Sequence, residues 1–558
     1  MLGAALQGCC CGLPTLPTFA ATVASLLVCY RVYNATNPSC DSGVALVREK
    51  SGSKSFGLWT RLSFYFDCRG LYHDVWHKFS KAGLPVLVPT LGSRKEFFLP
   101  HSSMKWVLSQ PSRVLGMWDA FSEMFQLGHS LGDEKYMLDT WPHLMARHVL
   151  THELDDHVMP VYEELKTAMD THLAQGEAWE TKNLLQTVRL IILQAGSRFT
   201  VGEPLCRDQV YLQHIMSTID SIVAMAGATG FLPPFLRPIL GPILCYPTYR
   251  KVRKLESFYR EEFRRRLDLF DQGRDGEKVD LLQKMLRFAR QKRPEELATD
   301  QMTRRMCMAN LAFIYLASFT TTHIITNMLA SNAEHDTIAL LREEAESFAS
   351  RFEDPRELWT RRNTVEMVRA DSVCRESLRL NTVPTRAVVR KVMTDGVVTD
   401  TGLPLPRGSL VSFVSHPMHT DPDRFENPLA FDPFRFVKIR QDEALSRRVN
   451  VQPGEVGGPW NPHSLLSTGG LLVFGRGKNS CPGRFLMDFQ LKMMISHLVC
   501  NWDIAFPESY GGKRLEAQWT LEFIFPAKHA QFRVRRRQGT QDEIKGEEST
   551  EEGDGVLV

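Results

Sequence analysis

Residues 474–484 read Phe-Gly-Arg-Gly-Lys-Asn-Ser-Cys-Pro-Gly-Arg and deliver one cysteine, Cys481, from a glycine-rich loop to the start of an apolar segment with helical spacing. Phe474, Gly477 and Gly483 stand at fixed offsets around the thiol. A thiolate so placed suits axial ligation of a haem iron, where it pushes electron density onto the metal and favours O–O cleavage over oxygen carriage. Gly477 and Gly483 would let the backbone approach a flat macrocycle, and Pro482 suits the first turn of a helix whose dipole stabilises a negative sulfur. The competing reading is a small buried hydrophobe in a turn.

Further upstream, Glu376 and Arg379 lie three residues apart on one helical face, and Arg435 falls in Phe431-Asp432-Pro433-Phe434-Arg435-Phe436. An i,i+3 ion pair is common on solvated helices, and an exposed pair contributes little. Its interest comes from its order relative to the cysteine. Earlier still, the apolar stretch from Met306 to Asn332 carries Ala317-Ser318-Phe319-Thr320-Thr321-Thr322.

Elements of suitable kind must hold these residues. The 558 residues, 43% hydrophobic and 23% charged, are ample for a large core. A net charge of +3, without a basic stripe interleaved with aromatics, argues against nucleic acid as a partner. Twelve cysteines without paired spacing indicate neither a disulfide framework nor a zinc module, so a reducing, cytosol-facing body is expected. Residues 1–30 contain no Asp, Glu, Lys or Arg, and residues 13–30 are just long enough for a membrane anchor. No basic n-region precedes them, which argues against a cleaved secretory signal. Pro14 and Pro17 weaken the span, leaving a surface helix or disordered leader open, with acylation of Cys9 to Cys11 a further alternative.

The periodicity predicts a mainly α protein with a small β portion. Pro85-Val86-Leu87-Val88-Pro89 and Phe97-Phe98-Leu99 flank Gly92-Ser93 as a hairpin, and Pro100-His101-Ser102-Ser103 opens a helix. Residues 141–281 are mostly helical, with breaks at Gly202-Glu203-Pro204 and Pro233-Pro234. Residues 231–244 are apolar but too proline-rich for a regular helix, and read either as a greasy surface loop at a substrate entrance or as a buried connection. Asp300 is expected to cap a long helix towards Asn332, whose Asn, Ser, Thr and His content suits a buried core helix better than a membrane span. Residues 453–459 are loop-like, and residues 541–558 form an acidic tail expected to be disordered.

In order, then, the chain presents a threonine-bearing helix, Glu-x-x-Arg, a Pro/Phe/Arg segment and Phe-x-x-Gly-x-x-x-Cys-x-Gly. This order resembles the cytochrome P450 family over about residues 83–537, most of all its filamentous-fungal members. The resemblance implies the cytochrome P450 fold with a long central helix crossing a haem b (iron protoporphyrin IX) ligated by Cys481. It implies a buried triad of Glu376, Arg379 and Arg435 beneath the haem. It gives Thr321, with Thr320 beside it, the role of organising proton delivery on the oxygen side. Ser318 stands where the family has a small glycine, and Thr320 where it has an acid; a threonine cannot shuttle protons as a carboxylate does near neutral pH. Back-bonding within the helix is the alternative role for these threonines.

The haem propionates need cationic or hydrogen-bonding partners. His143 and Arg147 resemble a pair used this way, and Arg390 is a further candidate with Arg386 as its rival; Asn479 replaces the Arg or His of many relatives. Arg447, Arg448, Arg476, Lys478 and Arg484 would suit docking of an acidic reductase, or form a solvated face.

The implied function is a haem-thiolate monooxygenase that takes electrons from NADPH through a flavoprotein reductase and inserts oxygen from O₂ into a lipophilic small molecule. Terpenoid, polyketide or alkaloid intermediates of secondary metabolism are the expected substrates. The expected organisation is an anchor and linker over 1–50, placing the enzyme at the endoplasmic reticulum membrane with its catalytic domain facing the cytosol, that domain over 51–540, and the tail. Two rivals stay open: a haem-thiolate isomerase or dehydratase needing no reductase, and a non-catalytic haem-binding sensor.

Overall fold

The structure, a computed structural model, describes residues 43–92, 94–274, 279–442, 445–446, 465 and 470–538. The expected anchor, Cys9 to Cys11, Ser93 of the hairpin turn, Arg447, Arg448, the loop 453–459 and the acidic tail lie outside the described residues.

A helix running from Thr299 to His335 crosses the molecule, interrupted by one π turn at Leu311–Tyr315. It packs against helices Leu184–Thr200, Thr337–Ala349 and Val368–Leu380. Such a turn inside an α-helix commonly marks a functional site. Ser318, Thr321, Thr322 and Thr326 each donate to the carbonyl four residues back, at 2.7–2.8 Å, so their hydroxyls are satisfied inside a buried helix. Asp300 is not the cap. Ala298 occupies that position, and Asp300 sits in the first turn, where its Oδ2 accepts from Arg304 Nη1 at 2.9 Å.

Residues 231–244 depart from both readings of them. Helix Gln209–Phe231 ends at their start, and helix Arg237–Asp271 begins after only five irregular residues. Pro238 falls in its first turn, where a missing N–H leaves no bond unmade. Phe231, Phe235, Ile239, Ile243 and Tyr246 are exposed, so the segment is neither a buried connection nor a continuous loop.

The β portion sits to one side over its own apolar core. A six-stranded sheet runs Ala45–Leu46, Val86–Val88, Glu96–Phe98, Leu410–Val414, Arg386–Val392, Leu115–Gly116. The hairpin is as expected, with Val86 opposite Phe98. Ala45–Leu46 pairs in parallel with Val86–Leu87, so the folded body begins before residue 51. Strand Glu180–Asn183 interrupts the helical region by joining Gln531–Arg536 and Trp502–Ala505. In strand Arg386–Val392 the register shifts between Ala387 and Arg390, and Val388 has φ 56°. A β-branched residue is strained there, and a bulge re-aims the side chains that follow it.

Candidate active site

The cysteine loop is shaped by Gly475 (φ 68°) and Gly477 (φ 71°), a backbone conformation that L side chains resist. At Gly477 a Cβ would also press to 3.2 Å from Leu108. Phe474 contributes its carbonyl, which accepts from Cys481 N at 2.8 Å. Gly483 has an ordinary φ of −63°, and its value is space: a Cβ there would lie 3.5 Å from Cys481 Sγ and 3.9 Å from the Phe313 ring. The helix that follows, Arg484–Asn501, takes Gly483 as its N-cap, so Pro482 precedes it and is not in its first turn.

Burial pushes the Cys481 thiol up, while backbone N–H groups of Gly483 and Arg484 and the Arg484 charge pull the other way. The residue is nevertheless solvent-accessible. A sulfur deep enough to feel burial, yet open and facing N–H donors, is suited to a metal ion, which would turn the balance to thiolate outright.

Under the loop, Glu376, Arg379 and Arg435 meet as expected. Arg379 grips Glu376 with Nε and Nη2, both at 2.7 Å, and Arg435 Nε reaches Glu376 Oε1 at 2.9 Å. The remaining guanidinium donors go to carbonyls: Arg379 Nη1 to His419 and Pro428, Arg435 Nη1 to Glu426. Glu376 and Arg379 are 0% exposed. Beside them Arg514, which the sequence did not single out, donates to Asn381 Oδ1 at 2.9 Å and stacks on Phe431.

On the central helix, Ala317, Thr320 and Thr321 follow i, i+3, i+4 spacing and share one stripe, and Phe313 lies in the π turn just before it. The approach of Phe313 to Gly483 brings that stripe to the cysteine loop. Ala312 and Leu316, adjoining the stripe, are exposed although most of this helix is buried, so the stripe borders open space. Thr321 Oγ1 donates to Ala317 O at 2.8 Å and keeps its lone pairs. Thr320 is buried and makes no hydrogen bond through its side chain among the described residues. Ser318 lies with Ile314 and Tyr315 against Arg189 and Ile219 on another face, so the hydroxyl that replaces a glycine does not crowd the stripe. Phe313 escaped notice in the sequence because an apolar residue in an apolar helix gives no signal.

Of the two arginines after the Glu-x-x-Arg helix, Arg386 is consumed by carboxylates: Nη2 reaches Glu522 at 2.9 Å and Nη1 reaches Glu96 at 2.8 Å. Arg390 is 5% exposed and donates only to Val389 O, with no carboxylate partner among the described residues. Burial alone pulls its pKa down to about 10. A buried guanidinium without an anion is costly, and this orphan fits an anionic group such as a propionate.

His143 stacks edge-on to Trp118 at 4.5 Å, and burial with the Arg147 charge lowers its pKa to about 4, so it offers a neutral ring and not a cation. Helix Met117–Phe125 joins the two regions, since Ala120 and Met124 pack with Val389 while Trp118 meets His143. Arg147 is exposed, and its charge is felt by Arg484. Arg484 itself donates to Ser480 Oγ and Cys481 O, which ties it to the loop.

The family profile described as Cytochrome P450 matches residues 139–534. The chain is 36% identical over 526 residues to "Cytochrome P450 monooxygenase astC" of Aspergillus terreus, covering 93% of this chain and 96% of that protein. It is 36% identical over 504 residues to "Cytochrome P450 monooxygenase pbrC" of Penicillium brasilianum, covering 89% and 92%. A third relative, "Cytochrome P450 monooxygenase tenB" of Beauveria bassiana, is 35% identical over 502 residues, covering 88% and 91%.

Proposed function

The chain belongs to the cytochrome P450 family, and from that premise we propose that Cys481 is the thiolate that would hold the haem iron, with Thr321 and Thr320 as the residues that would serve proton delivery. It is a haem-thiolate monooxygenase that uses O₂, a redox partner and a small-molecule substrate. The observation that carries the residue assignment is the Cys481 sulfur, deep yet accessible and facing the N–H groups of Gly483 and Arg484. Monooxygenation in the relatives' names favours this reading over a reductase-independent isomerase or a sensor.

The bound haem, read as haem b, supplies oxygen activation and the oxidation of an unactivated C–H bond. Around it each side chain has a separate task. Arg390, a buried cation with no carboxylate partner among the described residues, would hold a haem propionate, to which His143 could add a hydrogen bond and Arg147 a charge. Glu376, Arg379 and Arg435 fix the segment beneath. Thr321 Oγ1, its own proton donated to Ala317 O, accepts a hydrogen bond from a water and so holds that water in place as the proton donor. Because Thr320 is no carboxylate, water supplies the proton at the position that Thr321 fixes.

Phe319 with Leu185, Val383, Phe523 and Phe525 forms an apolar cluster beside the central helix, which suits a lipophilic substrate and excludes bulk water from one side of it. A fungal secondary metabolite of terpenoid, polyketide or alkaloid type is the substrate class we favour. Of the cations proposed for docking an acidic, NADPH-dependent flavoprotein reductase, Arg476, Lys478 and Arg484 lie on the cysteine loop and the helix that follows it.

Contact with a membrane is supported by exposed Leu58, Trp59 and Phe66 on helix Leu58–Phe66 and by Phe231, Phe235, Ile239 and Ile243 around the junction of helices Gln209–Phe231 and Arg237–Asp271, joined where the Tyr65 and Phe231 rings meet at 6.0 Å. Together with the proposed anchor at 13–30, this supports a catalytic domain held on the cytosolic face of the endoplasmic reticulum. The deciding experiment gives purified holoprotein a reductase, NADPH and the extracted metabolites of a strain lacking the gene. Product carrying one atom of labelled O₂ is expected, and turnover without reductase would refute the assignment.

A further inference from the structure

One buried residue, His419, bridges the charge triad through its backbone carbonyl and the turn into the cysteine loop through its ring, without belonging to either. His419, at the end of helix His416–His419, is 0% exposed. Its backbone oxygen accepts from Arg379 Nη1 at 2.9 Å, and its ring Nε2 accepts from the backbone N–H of Leu472, also at 2.9 Å. Leu472 opens the turn into the cysteine motif: its oxygen accepts from Gly475 N at 3.0 Å, and two residues on, Phe474 O accepts from Cys481 N.

A peptide N–H can only donate, so Nε2 must be the acceptor and the proton must sit on Nδ1. The surroundings enforce a neutral ring. Burial, and then the charges of Arg424, His416 and Arg379, hold the imidazole well below its ordinary range. Nδ1 is itself buried without a hydrogen-bond partner among the described residues. An unpaired buried N–H is unfavourable, and an apolar side chain would avoid it. What the ring offers in exchange is one acceptor, placed where the loop presents Leu472 N–H.

We propose that His419 is a positioning residue for the thiolate, its Nε2 fixing the Leu472 amide and, through Phe474 O, the backbone of Cys481 relative to the segment held by the triad. The proposal rests on the reading of Cys481 as the haem ligand. A thiolate stays a ligand only while Gly483 and Arg484 N–H remain aimed at it; a loop free to turn lets the sulfur take up a proton and loosens the haem. Groups that orient a metal ligand in this way act through the ligand and not through the substrate.

The test compares three variants of the full-length holoprotein. His419→Gln places an amide oxygen near the position of Nε2, His419→Asn is too short to reach it, and His419→Leu fills the space without an acceptor. The readouts are the absorption band of the CO-bound ferrous protein, which distinguishes thiolate from thiol ligation, and the rate of haem transfer to an apo-globin. His419→Gln is expected to keep the thiolate band. His419→Asn and His419→Leu are expected to lose it at unchanged helical content, with haem held about 10–100-fold less tightly.

The proposal is overturned if His419→Leu keeps the wild-type band and transfer rate, or if all three variants fall alike. Should His419→Leu not accumulate as folded protein, hydrogen exchange in the wild-type holoprotein decides. Protection of the Leu472 amide equal to that of helix Arg484–Asn501 supports the bond, and exchange at exposed-loop rates overturns it. A wild-type protein with no thiolate band refutes the ligand assignment itself, which separates the two failures.

Discussion

Arg435 Nε reaches back 59 residues to Glu376, 2.9 Å from the same Oε1 that Arg379 Nη2 holds at 2.7 Å. One carboxylate therefore pairs with two guanidinium groups inside the protein, and backbone carbonyls take their remaining donors. Replacing Glu376 by Gln keeps the shape but strands two buried cations, at a cost of about 3–5 kcal/mol. Glu376→Gln is expected to yield little folded holoprotein, with a lowered Tm, in place of a slow but stable enzyme. Thermal unfolding and haem content together check this; normal values for both would sink the structural role of the triad.

Arg390 and Arg386 give opposite expectations for the same substitution. Arg390→Met removes a buried cation that has no carboxylate, so the haem-free protein should be unchanged or more stable while haem binding weakens about tenfold or more. Arg386→Met strands Glu96 and Glu522 and should destabilise the protein by about 3–5 kcal/mol with or without haem. Denaturant unfolding of the haem-free proteins, followed by haem titration, measures both. Equal loss of stability in the two variants would remove the argument for Arg390 as a propionate partner.

That contrast also shows what the chain makes legible. Cys481, Glu376, Arg379 and Arg435 could be picked out because each sits in a short motif of fixed spacing, and the structure brings the last three together. The choice between Arg386 and Arg390 could not, because it depends on Glu522, 136 residues from Arg386, and on a bulge at Val388 that alters strand register. The prolines after Phe231 misled for a different reason: Pro238 falls in the first turn of a new helix that starts at Arg237, where no bond is lost, and that helix continues through Pro242 in its interior. Asp300 looked like a cap from composition alone, yet the cap is a matter of backbone conformation two residues earlier, at Ala298.

Thr321 and Thr320 should differ in kind. Thr321→Ala removes the only hydroxyl on the stripe shown to be oriented by a helical carbonyl, that of Ala317. Product formed per NADPH consumed is expected to fall on the order of 10²-fold, with NADPH oxidation continuing and peroxide released. Thr321→Ser keeps the hydroxyl and should retain most of the coupling. Thr320→Val should change little, since no hydrogen bond holds that side chain among the described residues. Equal coupling in Thr321→Ala and the wild type would end the proton-delivery role.

The exposed apolar surface predicts where lipid is met. Trp59 is 83% exposed, Phe235 56% and Ile239 64%. Burying a side chain of this size is worth about 1.5–3 kcal/mol, so Phe235→Asp should weaken partitioning into vesicles by about tenfold or more. Bromine-labelled lipids should quench fluorescence that disappears in Trp59→Phe. Quenching that persists in that variant at the wild-type level would show that other tryptophans, and another face, lie on the membrane.

Acid should destabilise the protein well above the pH at which carboxylates titrate. Burial lowers the pKa of His101, His157 and His323 to about 4 and that of His416 to about 3. The unfolded chain, with histidines near 6.5, therefore binds protons between pH 6.5 and 4 that the folded chain does not. Stability is fully present above that window and falls as pH falls through it, by about 1.4 kcal/mol per pH unit for each such histidine. His157 isolates the effect, because its Nε2 has no hydrogen-bond partner among the described residues and its ring packs against Phe199 at 5.1 Å. At pH 5 His157→Leu should recover about 2 kcal/mol relative to its effect at pH 7.5 and flatten the slope by one proton. Urea unfolding across that range measures both; an unchanged slope would mean that His157 takes up its proton in the folded state as readily as in the unfolded one.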